Sequence, residues 1–417
     1  MDSYVVPKLS LEGKSFSVRV PSSKSMANRA LILAAQTKGD FLLKGDFAAE
    51  DIQLMVEALR KIGVGIVEKS DSLCISNDLS WRRNEAEIEL YLGNSGTSLR
   101  FLTSLVCLRK GNTVLTGKER MKERPIKDLV DALRQLKVRI EYLEKDGFPP
   151  IRVVGSEKVI GGSASVRGDV SSQFITSLLL CAPSFEEGLR LKISDELISK
   201  PYVDLTLYQL REWGAVAESS DVPSEFHISR SVFSAANREI EGDASAAVYW
   251  WALGFLHGAE VTITNVPLTS LQPDLKFVRV LELLKKRKSG QGEFEIDMND
   301  MPDASLMLIA LGATLDYPIR ITGIGSLRVK ETDRIAAMAA ELVKVGSAVD
   351  EGTDWIRIGP LAKELVQIVQ IDTYDDHRVA MAMAILGTKL GNLEISDPDC
   401  VNKTYPGFWS DLERFTS

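Results

Sequence analysis

The sequence repeats one local pattern six times, and this repetition limits the possible folds more than any other feature. In each copy a short turn of Gly, Asp, Asn or Ser leads into a run of small and apolar residues, which is typical of a buried helix. Gly93 and Gly168 are 75 residues apart, Gly168 and Gly242 are 74 apart, and Gly242 and Asp303 are only 61 apart. The six turns begin at Pro21, Gly93, Gly168, Gly242, Met301 and Asp375.

A second set of six segments lies between and after these copies, with apolar residues at the i, i+3, i+4 spacing of an amphipathic helix. These segments begin near Asp51, Asp128, Asp204, Asp274, Asp333 and Asp411. Stretches in which apolar and polar residues alternate, typical of half-buried strands, include IRVVGS, LRLKIS, AEVTITNV, PIRITGI and DWIRIGP. The pattern predicts an α/β protein built from six copies of a strand, helix, strand, helix, strand unit.

The six copies divide into two groups of three, which predicts two domains of similar build. The predicted domain 1 is discontinuous, with residues 1–20 and 241–417, and the predicted domain 2 contains residues 21–240. The stretch SFSVRV precedes the first Ser-rich turn, so we expect this initial strand to belong with the C-terminal half. The short interval after Gly242 has no explanation in the sequence.

Composition argues against nucleic acid or a membrane as a partner. The 417 residues include 50 Lys and Arg against 58 Asp and Glu, a net charge of −8, so we expect no extended basic surface. The longest nearly apolar stretch, residues 244–256, is shorter than the roughly 20 residues of a membrane helix. Four scattered cysteines, three histidines and the lack of a visible secretory signal predict a cytoplasmic chain without a metal site.

Basic residues lie at or near several helix starts, where a cation is unfavourable unless an anion offsets it. Several helix starts that point into one cleft would together bind an anion, although capping is the ordinary explanation for Ser, Asp and Gly there. Five of the eight basic residues are arginines, which favours phosphate or carboxylate as the ligand, because a guanidinium donates paired hydrogen bonds. The eight are Lys24, Arg29, Arg100, Arg124, Lys330, Arg334, Arg378 and Lys403.

Ten segments in the same order resemble the EPSP synthase family, the 3-phosphoshikimate 1-carboxyvinyltransferases. They are PSSKSMANRALILAA, LGNSGTSLRFL, LTGKERMKERPIKDLVDAL, GDVSSQFITSLLL, SKPYVDLTL, EGDASAAVYW, MPDASLMLIAL, RVKETDRIAAMAAELVKVG, TYDDHRVAMAMAI and CVNKTYPGFW. The resemblance implies two domains, each with three βαβαββ units in an inside-out α/β barrel, and an active site in the interdomain cleft. It also implies transfer of the enolpyruvyl group of phosphoenolpyruvate to the 5-hydroxyl of shikimate 3-phosphate by a monomer without a metal or organic cofactor.

The resemblance further implies roles for individual residues. The implied catalytic residues are Lys24, Asp303, Glu331 and Lys403. The residues implied to bind shikimate 3-phosphate are Lys24, Ser25, Arg29, Ser171, Ser172, Gln173, Ser199, Asp303 and Lys330, with Tyr202 as a further candidate. Those implied to bind phosphoenolpyruvate are Lys24, Asn94, Gly96, Arg124, Gln173, Arg334, Arg378 and Lys403. Asp303 resembles the acceptor of the 5-hydroxyl proton, but the acid that protonates the methylene carbon is left open between Glu331 and Asp303.

Two other functions stay open at this point. The sister enolpyruvyl transferases act on UDP-N-acetylglucosamine, but their mobile loop usually carries a reactive cysteine that residues 116–125 lack. A non-catalytic anion-binding relative is disfavoured because all four implied catalytic residues are present. Three positions depart from the family's common residues, namely Phe101 for Pro, Ser326 for Asn and Asp375 for Asn, and they leave the tolerance of glyphosate, an inhibitor at the phosphoenolpyruvate site, undetermined.

Overall fold

A computed structural model describes residues 2–220, 225–287, 290, 292–362 and 364–416 of the chain. The chain divides into two compact units, which we call unit 1 and unit 2. Unit 1 contains Met1–Ser23 and Glu241–Ser417, and unit 2 contains Lys24–Ile240. Among the described residues, no helix is both long and apolar enough to cross a membrane.

The described part of the chain is mixed α and β. Its strands are β1 (Ser3–Val5), β2 (Ser15–Val18), β3 (Gly39–Lys44), β4 (Gly65–Lys69), β5 (Ser72–Asn77), β6 (Ile88–Tyr91), β7 (Gly111–Thr116), β8 (Arg139–Tyr142), β9 (Ile151–Gly155), β10 (Gly162–Val166), β11 (Leu189–Ile193), β12 (Ala217–Ser220), β13 (Glu225–Ile228), β14 (Arg238–Glu239), β15 (Glu260–Ile263), β16 (Phe294–Asp297), β17 (Ile319–Thr322), β18 (Ser347–Glu351), β19 (Ile356–Leu361), β20 (Val369–Ile371) and β21 (Leu393–Ser396). Its α-helices are α1 (Lys24–Ala35), α2 (Glu50–Ile62), α3 (Gly96–Leu105), α4 (Glu119–Lys122), α5 (Lys127–Gln135), α6 (Ser172–Cys181), α7 (Lys200–Glu212), α8 (Ala244–His257), α9 (Phe277–Lys286), α10 (Ser305–Gly312), α11 (Arg334–Lys344), α12 (His377–Leu390) and α13 (Phe408–Glu413).

Unit 2 contains three four-stranded sheets with one topology. Their strand orders are β6-β7-β9-β8, β10-β11-β13-β12 and β14-β3-β5-β4. In each sheet the first two strands are parallel and the last two form an antiparallel hairpin. The parallel pair needs a crossover, which a buried helix supplies in the first two sheets. In the third sheet the first strand, β14, comes from the end of the unit instead.

Unit 1 follows the same plan with fewer strands. One sheet is complete, with the order β16-β17-β19-β18, whereas the other two have the orders β1-β21-β20 and β2-β15. The N-terminal strand β1 is antiparallel to β21, and β2 is parallel to β15. The copies that contain α2, α5, α7 and α11 end in an antiparallel hairpin, whereas only residues 287–293 separate α9 from β16, and the described residues among them form no strand. This missing hairpin explains the short interval after Gly242.

The two predicted sets of helices are both present, and they differ in burial as predicted. Helices of the first set, such as α3 and α10, have every residue buried. They pack against each other inside their own unit, α1 with α3 and α6, and α10 with α8 and α12. Helices of the second set, such as α5 and α11, bury one face only. The predicted repeat of buried helix, strand and amphipathic helix is therefore confirmed, and the repeat brings the turns before the first-set helices together within each unit.

Candidate active site

In unit 2 the start of α3 is covered by a guanidinium group. Arg124 Nη1 donates to the backbone oxygen of Asn94 at 2.9 Å and to its side-chain Oδ1 at 3.3 Å. A Cβ atom at Gly96 would lie only 2.5 Å from Arg124 Nη2, so a larger residue there would displace this guanidinium group. The hydroxyl of the N-cap residue Ser95 lies 2.8 Å from Ser98 Oγ and does not cap a backbone N–H of the helix. In the described structure the N-cap side chain therefore leaves the first backbone N–H groups of α3 available to a ligand.

Arg124 has no carboxylate partner among the residues that the structure describes. Its side chain is buried, with 3% exposure, and it forms no ion pair with the described acidic residues. Taking an ion out of water costs several kcal/mol unless an opposite charge or good hydrogen bonds compensate. A cation at a helix start adds to the unfavourable electrostatics. The arrangement favours binding of an external anion at this position.

Gln173 connects this helix start to that of α6. Its amide Nε2 lies 3.3 Å from Thr97 Oγ1, and its Oε1 accepts from Arg100 Nη1 at 2.6 Å. Ser171 caps α6 through a bond from the Gln173 backbone N–H at 3.3 Å. Ser172 is the first residue of the same helix. Of the residues predicted to bind substrate, unit 2 thus brings Asn94, Gly96, Arg124, Ser171, Ser172 and Gln173 onto two linked helix starts.

Lys24 is the first residue of α1, and its Nζ lies 3.1 Å from Asp51 Oδ2. Asp51 is buried at the start of α2. Its role could not be inferred from the sequence, because an Asp in the first turn of a helix is ordinary capping chemistry. Asp274 is the other buried aspartate of the second-set helices, so the ion pair with Lys24 rather than burial alone connects Asp51 with the site.

Arg29 joins α1 to α7 through neutral acceptors. Its Nε donates to Thr206 Oγ1 at 2.9 Å, its Nη1 to Ser25 O at 2.7 Å and its Nη2 to Tyr202 O at 3.1 Å. Burial lowers the pKa of Arg29 to about 10. Ser199 immediately precedes α7 and has a left-handed backbone with φ of 52°. Ser25, Arg29, Ser199 and Tyr202 are thus near neighbours on these two helices, and described residues accept from three of the five N–H groups of Arg29.

Unit 1 brings three basic residues onto one carboxylate. Asp303, in a short 3-10 helix before α10, accepts from Arg334 Nη1 at 3.0 Å and from Arg378 Nη2 at 3.2 Å. Lys330 Nζ lies 3.8 Å from the same carboxylate. These four residues come from positions up to 75 apart in the sequence, as the predicted repeat requires.

Glu331 and Lys403 belong to the same network. Arg334 Nη2 lies 2.8 Å from Glu331 Oε2, and Lys403 Nζ lies 4.0 Å from Glu331 Oε1. Arg334 also donates from Nε to Asp376 Oδ2 at 2.7 Å, while the other oxygen of Asp376 accepts the Arg378 backbone N–H at 2.9 Å. All six residues predicted for this half of the site are therefore joined in one cluster, and Asp376 is an additional member.

The charges of this cluster stabilise each other. Burial alone would lower the pKa of Arg334, but Asp376, Glu331 and Asp303 outweigh it and raise that pKa above its usual value. The pKa of Arg378 is raised as well, chiefly because Asp303 outweighs the effect of burial. Tyr249 lies close by, and burial raises its pKa to about 12 despite the opposing effect of Arg378. Both arginines therefore carry a full positive charge at any physiological pH.

Asp376 is the residue of this network that sequence reasoning did not assign. It stands in the same motif as Arg378, and a cap one residue before a helix was the expected function of an Asp there. Its bond to Arg334 spans 42 positions and cannot be inferred from spacing. Within the described ranges, no group of three or more His, Cys, Asp or Glu side chains is arranged to hold a metal ion.

Comparison with known proteins identifies the family. The sequence profile described as EPSP synthase (3-phosphoshikimate 1-carboxyvinyltransferase) matches residues 11–412. The chain is 38% identical to the 3-phosphoshikimate 1-carboxyvinyltransferase of Shewanella halifaxensis, with 97% of each chain covered. It is 40% identical to the enzyme of that name from Photorhabdus laumondii, with 96% of each covered.

Solved structures with the same fold include an EPSP synthase from Acinetobacter baumannii, with a TM-score of 0.78 and 23% identity over 99% of this chain and 97% of that chain. The enolpyruvyl transferase NikO from Streptomyces tendae has a TM-score of 0.71 and 17% identity over 99% of this chain and 96% of that one. These two likenesses concern the fold, whereas the profile and the sequence relatives carry the assignment. The chain belongs to the EPSP synthase family.

Proposed function

We infer that this chain transfers the enolpyruvyl group of phosphoenolpyruvate to the 5-hydroxyl of shikimate 3-phosphate and releases phosphate, a step of the shikimate pathway. Membership of the EPSP synthase family supports this activity. The observation on which the site assignment rests is the buried Arg124 guanidinium, which has no carboxylate partner in the described part of the chain and covers the uncapped start of α3. Both substrates carry a phosphate and a carboxylate, so such a cation suits either of them.

We propose that the reaction is an addition followed by an elimination. In the addition, the 5-oxygen bonds to C2 of phosphoenolpyruvate, its proton goes to Asp303, and a proton is added to the methylene carbon. In the elimination, the bond from C2 to the phosphate oxygen breaks, a proton leaves the methyl carbon, and the carbon–carbon double bond forms again. A carboxylate that accepts and returns protons must lie within hydrogen-bond reach of each position.

Two carboxylates of unit 1 fit these proton-transfer roles, because each forms ion pairs with basic residues and still keeps part of its surface exposed. Asp303 retains 19% exposure of its side chain and contacts Arg334, Arg378 and Lys330. Glu331 is more buried and lies beside Arg334 and Lys403. We assign Asp303 to the 5-hydroxyl proton and Glu331 to the proton at the methylene carbon, with Lys24 and Lys403 as the other catalytic residues.

The remaining assignments concern the residues that bind the two substrates. We propose that shikimate 3-phosphate is bound by Lys24, Ser25, Arg29, Ser171, Ser172, Gln173, Ser199, Asp303 and Lys330. We propose that phosphoenolpyruvate is bound by Lys24, Asn94, Gly96, Arg124, Gln173, Arg334, Arg378 and Lys403. Their guanidinium, ammonium, amide and hydroxyl groups, together with the helix N–H groups, are the donors that phosphate and carboxylate oxygens require.

Phosphate release tests the proposed activity. The protein is mixed with phosphoenolpyruvate and shikimate 3-phosphate, together and separately, and phosphate is measured over time. We expect release only when both substrates are present. Release with UDP-N-acetylglucosamine as the only working acceptor would reject the assignment, and binding of both substrates without turnover would favour the non-catalytic relative.

We also propose that the chain acts as a cytoplasmic monomer, without nucleic acid or membrane partners. Its net charge of −8 supports the absence of these anionic partners, and its four free cysteines suit a reducing compartment. Mass measurement in solution at several concentrations tests the monomeric state.

A further inference from the structure

The turn before α12 has an unusual backbone. Tyr374 and Asp375 are consecutive and both left-handed, with φ of 57° and 54°. Neither is glycine, and a left-handed conformation is unfavourable for residues with a side chain. A turn of this kind persists only when surrounding contacts hold it. The next residue is Asp376, which binds Arg334 in the network described above.

A buried glutamate on α11 holds one side of this turn. Glu341 Oε1 accepts from the Tyr374 hydroxyl at 2.6 Å, and Oε2 accepts from the Asp372 backbone N–H at 3.1 Å. Its side chain has 0% exposure and pairs with Lys344 Nζ at 2.8 Å. Burying a carboxylate is costly unless it is paired and hydrogen-bonded. Among the described residues, the side chain of Glu341 is compensated by Lys344 and by two hydrogen bonds from the turn, those of the Tyr374 hydroxyl and the Asp372 N–H.

The same helix holds the other side of the turn. Arg334 and Glu341 are seven positions apart on α11, which places them two helical turns apart on one face. Arg334 binds Asp376 while Glu341 binds Tyr374, so α11 forms hydrogen bonds to the turn at two positions. Burial together with the bond to Glu341 raises the pKa of Tyr374 to about 12. The hydroxyl therefore stays a donor to Glu341 throughout the physiological pH range.

We propose that Glu341 and Tyr374 are positioning residues, which fix the turn so that Asp376 orients the guanidinium of Arg334 and the start of α12 that carries Arg378. Neither residue was assigned a role from the sequence. The inference rests on the proposed function, because it assigns Arg334 and Arg378 to phosphoenolpyruvate. A loss of positioning is therefore expected to weaken the use of phosphoenolpyruvate and to leave shikimate 3-phosphate binding by unit 2 unaffected.

The variant Tyr374→Phe removes one hydroxyl and keeps the ring. We expect KM for phosphoenolpyruvate to rise about tenfold, the order of a lost hydrogen bond to a charged group, and KM for shikimate 3-phosphate to rise less, because in the described structure only its proposed partner Asp303 contacts Arg334 and Arg378. The matched control is Tyr317→Phe, which removes a hydroxyl of the same unit that has no hydrogen bond to another described residue. This control is expected to leave both KM values within about twofold of wild type.

Hydrogen exchange provides a readout that does not depend on turnover. The backbone N–H of Asp376 donates to Thr373 O and that of Arg378 donates to Asp376, so both bonds belong to the turn. In Tyr374→Phe these two amides are expected to exchange faster, while amides of α3 keep the wild-type rate. Inactive wild-type protein would reject the proposed function, and the exchange rates alone would then decide on positioning.

Two results would overturn the inference. One is unchanged KM values together with unchanged exchange at Asp376 and Arg378. The other is an equal rise of both KM values with a lower melting temperature, which indicates a purely structural role. Glu341→Gln is the second variant: its amide keeps one acceptor oxygen for Tyr374 but presents an N–H₂ group towards the Asp372 N–H and Lys344, so we expect KM for phosphoenolpyruvate to rise at least as much as in Tyr374→Phe.

Discussion

The two units hold their cations in different ways although their architecture is similar. In unit 2, Arg29 and Arg124 donate to backbone carbonyls, hydroxyls and an amide. In unit 1, Arg334 and Arg378 donate to carboxylates. Among the predicted site cations of unit 2, Lys24 resembles those of unit 1, because the described structure pairs it with the carboxylate of Asp51.

This difference separates two tasks that one enzyme must perform. Neutral acceptors orient a guanidinium without cancelling its charge, so the helix starts of unit 2 keep a positive potential for anionic ligands. Carboxylates cancel most of the charge in unit 1, but they are also the groups that exchange protons. A repeated fold thus supplies equivalent helix starts, while the residues beside each start decide whether a cation there keeps its full charge or shares it with carboxylates that can also exchange protons.

The largest effect is expected for Arg334→Gln. The change leaves Asp303, Glu331 and Asp376 without their common cation, and breaking a buried ion pair from one side typically costs about 3–5 kcal/mol. We expect the free energy of unfolding to fall by that amount and turnover to be lost, as measured by urea unfolding and phosphate release.

The control Arg357→Gln removes a guanidinium that pairs with Glu293 and Asp350 nearer the surface of unit 1, and it should cost less than about 1 kcal/mol. Equal costs in the two variants would contradict the view that unit 1 depends on its buried network.

Arg124→Gln should affect activity and stability in opposite directions. Removing a buried cation that has no carboxylate partner in the described structure relieves an unfavourable burial, so the free energy of unfolding should stay the same or rise. We expect kcat/KM for phosphoenolpyruvate to fall by about 100- to 1000-fold, the usual loss when a strong charged contact to an oxyanion is removed. The control Arg134→Gln removes a guanidinium of the same unit that donates to Ile140 O, and its kinetics should match wild type. Strong destabilisation by Arg124→Gln would show that unit 2 needs this charge for folding, against the comparison.

Asp51→Asn tests the exception within unit 2. The amide keeps the shape of the side chain but removes the negative charge that pairs with Lys24. We expect kcat/KM to fall about tenfold, because one charged hydrogen bond that orients Lys24 is lost, with little change in melting temperature. Asp131→Asn is the matched control, since Asp131 pairs with Lys127 on an exposed face of the same unit. An activity equal to wild type in Asp51→Asn would remove Asp51 from the site.

Much of the fold could be predicted because the repeat is written in local patterns. Runs such as ANRALILAA and LMLIALG have no polar face, so they predict buried helices wherever they lie. The alternating stretches IRVVGS and PIRITGI became β9 and β17 for the same local reason. The number of strands in each sheet was not predictable, because β1 and β14 complete sheets with strands that are distant in sequence.

The site was predictable in its cations and not in their partners. Basic residues at helix starts violate a local rule, so Arg334 and Arg378 stood out in the sequence. Asp376, Asp51 and Glu341 obey local rules, since an acidic residue at a helix start or on a helix face is ordinary. Their contacts to Arg334, Lys24 and Tyr374 arise only when distant segments pack together, so the spacing of residues in the sequence does not predict them.

The smallest predicted effect is a pH dependence confined to unit 1. His257 is buried in α8 with 6% exposure, and its ring Nε2 lies 2.9 Å from Thr388 Oγ1 of α12. Burial, with a contribution from Lys389, lowers the pKa of His257 to about 4, below its usual value of 6.5. Between these values the unfolded chain binds a proton that the folded unit excludes, so the stability of unit 1 is constant above about pH 6.5 and falls as the pH is lowered towards about 4. We expect unit 1 to be about 1 kcal/mol less stable at about pH 5.5 than at about pH 7.5, from roughly 1.4 kcal/mol for each pH unit.

The measurement is amide exchange protection in α8 and α12 of unit 1 and in α3 and α6 of unit 2 at the two pH values. His257→Gln, which cannot titrate, should make the two units respond alike, and an equal response in the wild-type protein would show that this histidine does not distinguish them.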